Sequence, residues 1–274
     1  MNVIKITTEQ RKKIQELEFK ILCEVDRVCN NHHINYSVAY GTMLGAIRHK
    51  GFIPWDDDVD IILMRKDYIR FKEACRNELG ENFFYQSNDT DLEYFYLYDK
   101  IRLNNTVFRE SHAAKYNMHQ GVYIDVFPVD FIPANRWKRA WQYYSFHFFR
   151  TGVQTKYLQL SAREGSKKIA AAILRLLYAP FSLPWLYKKA HQVAMAYDDD
   201  AEPRLAGNFF SPYKKKDVYS ISIFKEWSRC VFEGREVGIL SEYDRMLRQL
   251  YGDYMQLPPE KDRITRHALA DLSI

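Results

Sequence analysis

Apolar residues recur at helical spacing near the start of the chain, through Ile14, Leu17, Ile21, Val25 and Val28. Thr7 with Gln10 reads as a capping box in front of them, so a helix is predicted from there to about Cys29. Ile34–Tyr40 has strand composition and stops at Gly41-Thr42, after which Thr42–Arg48 is a short helix candidate. Beyond the breakers Gly51 and Pro54, the run Val59–Met64 reads as a buried strand. Lys66–Leu79 returns to helical spacing and Gly80 closes it. Phe83–Gln86, Tyr94–Leu103 and Gly121–Phe127 are predicted strands. From about Asn135 the pattern turns mainly helical. Val231-Phe232 and Val237–Leu240 look like short returning strands, Ser241 is placed as the cap of a last helix ending at Gly252, and Pro258-Pro259 precedes a basic tail. The pattern predicts an α+β fold: a core over 1–134 holding a small mixed sheet, and a mainly helical region over 135–274 packed on it. The two regions are also compatible with one continuous domain.

Composition narrows the class. The chain has 274 residues, 47% hydrophobic and 27% charged, ordinary values for a globular protein, and disorder or low complexity is excluded. Forty Lys+Arg against 35 Asp+Glu leave a formal charge of +5, which suits anionic partners. That excess is too small and dispersed for a nucleic-acid-binding protein. Four cysteines (Cys23, Cys29, Cys75, Cys230) lack CxxC or zinc spacing and read as reduced thiols packed as small hydrophobes. The first residues are too charged for a secretory segment, and no charge-free stretch is long enough to span a bilayer. A cytoplasmic, enzyme-sized protein is the expectation.

Residues 40–64 carry the most chemistry. Asp56, Asp57, Asp58 and Asp60 fall within five positions, and the last two flank a valine as an apolar strand begins. Positions i and i+2 of a strand share a face, so Asp58 and Asp60 are expected side by side. Carboxylates that close repel unless a cation lies between them, and all-oxygen ligands suit Mg²⁺ or Mn²⁺. Gly41-Thr42 at a strand-to-helix step offers amides and a hydroxyl to a phosphate. Asp125, between Ile124 and Val126, is a third candidate; a structural salt bridge is the alternative for it. Asp198–Asp200 is an acid run without these features and reads as a solvated loop. Phosphate cradle and Asp-x-Asp strand together suggest metal-assisted phosphoryl or nucleotidyl transfer.

The order strand, Gly-Thr, helix, Asp-x-Asp strand is similar to the nucleotidyltransferase fold of polymerase-beta-like enzymes. GTMLGAIRHKGFIPWDDDVDI resembles the signature of the LicD family, the phosphorylcholine transferases and their fukutin-related relatives. KIRLNNTVF (100–108), GVYIDVFPVD (121–130) and YDRMLRQLYGDYMQLPP (243–259) also resemble that family. The resemblance implies Asp58, Asp60 and Asp125 as catalytic, metal-binding carboxylates and Gly41 and Thr42 as the phosphate-binding turn. It implies transfer of an alcohol phosphate from a CDP-activated donor such as CDP-choline to a sugar hydroxyl of a surface glycan, for instance teichoic acid, lipopolysaccharide or capsule. CDP-ethanolamine, CDP-glycerol or CDP-ribitol as donor, nucleotidyl transfer, and a non-catalytic scaffold are the rival readings.

Supporting roles follow from position. Arg48 and Lys50 lie between the two halves of the motif and suit a diphosphate. Lys100 and Arg102, two apart on a strand, are expected to face one phosphate or a solvated edge. Trp55, Tyr94, Phe95, Tyr96, Tyr98, Tyr123 and Phe127 are candidates for an aromatic cage around a quaternary ammonium group, although most aromatics in any chain are core. The segment 167–189 has lysines at both ends of an apolar stretch broken by Arg175, Pro180 and Pro184. It reads as a buried helical pair or, alternatively, as a peripheral membrane contact at the inner face of the cell membrane. The histidines are read as structural.

Overall fold

The computed structural model describes residue 4 and residues 6–157, 165–199, 204–265 and 267–274. Asp200, last of the acid triplet, and Arg266 of the basic tail lie outside them. Helix α1 (Thr8–Asn31) opens on the expected capping box, with Thr7 and Gln10 bonded reciprocally, and buries Ile14, Ile21, Leu22, Val25 and Val28. The chain continues through β1 (Ser37–Val38), α2 (Tyr40–His49), β2 (Asp60–Met64), α3 (Arg65–Glu78), β3 (Phe83–Gln86), β4 (Asp99–Leu103), β5 (Val107–Glu110) and β6 (Tyr123–Ile132). The second half holds α4 (Arg136–Lys156), α5 (Gly165–Tyr178), α6 (Leu183–Ala194), β7 (Leu205–Gly207), β8 (Val218–Ser220), β9 (Trp227–Phe232), β10 (Arg235–Leu240), α7 (Tyr243–Tyr251) and β11 (Leu269–Ser273).

The main sheet runs β1-β2-β6-β4-β3, with β2 and β6 parallel and the other pairs antiparallel. Strand β6 is its spine. Its first part pairs with β2 and β4, and its last three residues pair with β7, which in turn pairs with β8. A mixed α+β architecture is thus observed, with strands from both halves in one sheet and one hydrophobic cluster running from Ile14 to Leu269. Two small antiparallel pairs, β9–β10 and β5–β11, complete the β structure.

Several local expectations shift. The strand over 34–40 shrinks to two residues, because Ser37 Oγ and the Tyr36 hydroxyl accept backbone N–H groups from Leu240 and Gly238 of β10. Residues 94–98 are not strand; Asn88 Nδ2 donates to the carbonyls of Tyr94 and Tyr96 and takes the place of a ladder. Glu242, not Ser241, precedes α7, and its side chain makes no capping bond. The pair α5–α6 bends by 87°. Helix α6 is buried as expected, against α4, whereas α5 buries only Ala171 and Tyr178, half-buries Leu174 and turns the rest outward. Among the described residues no single helix is long and apolar enough to cross a membrane.

Candidate active site

Parallel pairing of β2 with β6 sets Asp60 opposite Asp125, and antiparallel pairing of β4 with β6 sets Lys100 opposite Asp125. Residues in register on neighbouring strands share a face of the sheet. Two acids and one cation therefore stand abreast across β2, β6 and β4. Asp58 lies just ahead of β2, not within it, and lines the same cavity as Asp56, Asp60 and Asp125. That cavity has a volume of about 670 Å³, well within the range of small-ligand sites.

The turn before the acids holds them in place. Thr42 Oγ1 accepts the Asp60 N–H at 2.9 Å, and the Ala39 N–H donates to the Asp60 carbonyl at 2.9 Å, so the start of β2 is clipped to the start of α2. Gly41 lines the cavity; a Cβ there would lie 2.6 Å from Asp56 Oδ2, so only glycine admits that carboxylate unshifted. Tyr40 takes a left-handed conformation, φ +48°, at the step into α2. Its hydroxyl donates to Asp217 at 2.5 Å and accepts from Asn208 at 2.8 Å, which anchors the turn. The expectation that Thr42 presents its hydroxyl to a ligand is corrected accordingly: Thr42 is buried and its oxygen holds the backbone of Asp60.

Negative charge is in excess. Burial, then repulsion from Asp58, Asp125 and Asp56, pushes the Asp60 pKa well above the ordinary carboxylate range. Burial likewise raises Asp58 and Asp125, opposed chiefly by His267 in the first case and Lys100 in the second. Glu18, buried on α1, is raised by burial and by all four nearby aspartates, and its Oε2 has no hydrogen-bond partner. The counter-charges are few. Lys100 forms a short ion pair with Asp125, and burial lowers its pKa despite that partner. His267 Nδ1 stands 3.1 Å from Asp57 Oδ1; burial opposes its charge, but Asp57, Glu110 and Asp58 outweigh it and raise its pKa to about 9. Among the described residues no three His, Cys, Asp or Glu side chains are already gathered around one point. The acids face a shared cavity and are not yet closed into a cage, but their oxygen-only chemistry and surplus charge fit a divalent cation.

The cationic candidates separate. Arg48 lines the cavity, its Nη1 donating to the carbonyls of Tyr254 (2.8 Å) and Gln256 (3.2 Å). Lys50 is exposed in the left-handed residue that ends α2, with its carbonyl accepting from Glu233. Arg102 shares a face of β4 with Lys100 but is buried, donating to Gln86 Oε1 and the Gly121 carbonyl under the ring of Tyr123. Neither Lys50 nor Arg102 belongs to the cavity lining, nor does Lys100, whose charge reaches it through Asp125. Of the seven aromatic candidates, Trp55, Tyr98 and Phe127 line the cavity.

Tyr40, Tyr213, Tyr251 and Tyr254 join them in the lining. Tyr213 stacks on Tyr40 with centroids 5.3 Å apart and shares a 2.7 Å hydroxyl contact with Tyr251. Tyr40 immediately precedes Gly41, Tyr251 and Tyr254 fall within the family-like segment 243–259, and Tyr213 alone lies far away in the chain with no local pattern to mark it. Of Glu18 and His267, only the first is legible in the sequence, and only in part. Glu18 is an acid on the apolar stripe between Ile14 and Ile21, whereas nothing near His267 distinguishes it from the other histidines.

Over 252 residues the chain is 29% identical to the lipopolysaccharide cholinephosphotransferase LicD of Haemophilus influenzae, a span covering 88% of this chain and 89% of that one. Residues 33–160 match the LicD/FKTN/FKRP nucleotidyltransferase domain. Those residues carry a LicD-family domain. The LicD match spans α2, β2, β4 and β6, hence Asp58, Asp60, Lys100 and Asp125, while Tyr213, Tyr251, Tyr254 and His267 lie beyond it. Shorter matches of 55 residues, 20% of this chain, connect it to uncharacterized proteins of Rickettsia typhi and Rickettsia prowazekii at 38% and 36% identity, covering 18% and 21% of those proteins.

Proposed function

We propose that this LicD-family phosphotransferase moves phosphocholine from CDP-choline to a sugar hydroxyl of a lipopolysaccharide or related surface glycan. The observation that carries the reading is the excess of half-buried carboxylates in register on β2 and β6, inside a cavity walled by aromatic rings. The core is read as a polymerase-beta-like nucleotidyltransferase fold, a reading supported by that register and by the domain match over 33–160.

In the reaction the acceptor oxygen forms a bond to the choline-bearing phosphorus, the diphosphate P–O bond breaks, and CMP departs. Asp58, Asp60 and Asp125 would hold Mg²⁺ or Mn²⁺, which when bound offsets charge on the diphosphate and on the departing CMP. Lys100 engages Asp125 Oδ1, which fixes the carboxylate and keeps its other oxygen for the cavity. An acid whose pKa lies above the ordinary range is a competent acceptor for the sugar hydroxyl proton, and the aspartate cluster supplies one. Arg48, held by two backbone carbonyls, is positioned for the diphosphate. The rings of Tyr98, Phe127 and Tyr213 offer faces to a quaternary ammonium group, each contact worth roughly 0.5–2 kcal/mol.

The test is thermal stabilisation by CDP-choline, CDP-ethanolamine, CDP-glycerol and CDP-ribitol, each with and without Mg²⁺, on the wild type and on Asp58→Asn/Asp60→Asn. A ligand at a hundred times its Kd stabilises by about 2.7 kcal/mol. A Mg²⁺-dependent shift with CDP-choline, absent in the variant, is expected. A response to another CDP-alcohol alone reassigns the donor, and none with any of the four removes the reading.

A further inference from the structure

The helical half bears a face that the transfer reaction leaves unused. On α4, Trp137, Trp141, Tyr144 and Phe148 recur at i, i+4, i+7 and i+11, one stripe of a helix, and each is at least 41% exposed. On α5, Ile169, Ile173 and Leu176 form a second stripe, each at least 61% exposed, while Ala171 and Tyr178 turn inward. The helices meet where Phe148 packs on Tyr178, ring centroids 5.1 Å apart, with the Tyr178 hydroxyl donating to the Phe148 carbonyl. Water is a poor solvent for such a surface, and large exposed apolar patches mark contact sites.

Charge identifies the partner. Residues 135–190 contain eleven Lys and Arg and one acid, Glu164, which leaves 29 Lys+Arg against 34 Asp+Glu in the rest of the chain. The positive excess of the whole protein therefore belongs to this region. Among the described residues, no Lys or Arg between 136 and 189 pairs with an acid. Lys168 and Arg175, seven apart, flank the apolar stripe of α5 along one edge. A second copy of the chain would have to press one cationic face onto another, which disfavours self-association.

We propose that α4 and α5 lie in the plane of an anionic bilayer surface, apolar stripes toward the acyl chains and cations among the headgroups. Trp and Tyr suit that boundary, and Lys and Arg gain from negative surface potential. The pair lies on the bilayer and does not cross it, since α6 is packed against α4 within the protein. The surface leads to the cavity: Lys215 sits over the rings of Tyr143 and Tyr144, at 5.2 and 5.9 Å, while the nearby Pro212 and Tyr213 line the cavity. Docking would thus bring the cavity to the lipid surface, whichever donor it accepts.

Co-sedimentation of the full chain with phosphatidylcholine vesicles, with and without phosphatidylglycerol, at low and high salt, tests this. Binding is expected only with phosphatidylglycerol, falling about tenfold at high salt. Ile173→Asp/Leu176→Asp and, separately, Lys168→Glu/Arg175→Glu should each lower partition about tenfold while circular dichroism and Tm stay at wild-type values. If the first pair misfolds, the second still decides, as does acrylamide quenching of the wild-type tryptophans, which vesicles should suppress. Absence of binding to anionic vesicles at low salt, or unchanged partition in folded variants, overturns the proposal. So does loss in the variants of a dimer seen by light scattering, with no vesicle binding by the wild type.

Discussion

Strand β6 carries two aspartates with different surroundings, Asp130 buried and Asp125 half-buried. Asp130, near its end, accepts two hydrogen bonds from Arg65, at 2.6 and 2.8 Å, and both partners are buried. One charge meets one charge in a bidentate geometry. Asp125, five residues earlier, stands between Asp60 and Lys100, with Asp58 and Asp56 lining the same cavity. There the acids outnumber the cations, and burial raises the pKa of each acid whose shift is resolved. Folding gains nothing from unbalanced buried charge. A matched pair on the strand is architecture, and a surplus on the same strand is the imbalance that the proposed cation would offset.

Substitutions at the two ends should therefore diverge. Asp60→Asn is expected to lower the transfer rate by about a thousandfold, equivalent to about 4 kcal/mol of transition-state stabilisation. The same change removes a repelled charge, so urea denaturation without ligand should show stability equal to or above wild type. Asp130→Asn leaves Arg65 buried without its partner and should cost about 3–5 kcal/mol in the same titration. Equal destabilisation by both variants would show Asp60 to be a structural acid and dissolve the contrast.

His267 provides a test by pH. Its pKa in the folded protein is raised from 6.5 to about 9, so the folded state holds its proton more tightly than the unfolded chain. The stabilisation is fully present below about pH 6.5 and is lost as pH rises through 9. His267→Gln should thus destabilise by about 2 kcal/mol near pH 6 and by little above pH 10. The aspartates have the same sign in a window that opens lower, just above their ordinary value of 3.8. Their raised values mean that, without a cation, stability falls as pH rises from the unfolded value through the folded one. Denaturation curves across pH, with and without Mg²⁺, resolve the two, because a bound cation flattens only the second.

What the sequence reveals here divides by distance along the chain. The capping box of α1, the apolar run of β2 and the acids at its start are local, and local periodicity and spacing expose them. The register that brings Asp125 beside Asp60 is not local, and Asp125 was recognisable only as an acid in an apolar strand. Strand β11 pairs with β5 across more than 150 positions and is itself half polar, so its sequence reads as a tail. Residues 94–98 failed in the other direction: aromatic content suggested a strand, but side-chain hydrogen bonds from Asn88 satisfy the backbone instead. Lys100 and Arg102 do share a face, as alternation requires, yet two buried cations one register apart serve different partners.

The smallest expected effect probes how tightly the acidic end is packed. Gly41 lies in the first turn of α2, where alanine has the better helix propensity by about 1 kcal/mol. A Cβ would nevertheless meet Asp56 Oδ2 at 2.6 Å, and that carboxylate hydrogen-bonds Asp58. The end of a side chain can swing aside, so Gly41→Ala should change stability by no more than about 1 kcal/mol in either direction, while weakening donor or metal binding through the displaced Asp56. In an Asp56→Ala background the clash is gone and only the propensity gain remains. The double-mutant cycle should therefore give a coupling of about 1 kcal/mol between positions 41 and 56. A coupling near zero would mean that the carboxylate is free to yield, and that the glycine serves the approach of a ligand and not the packing of Asp56.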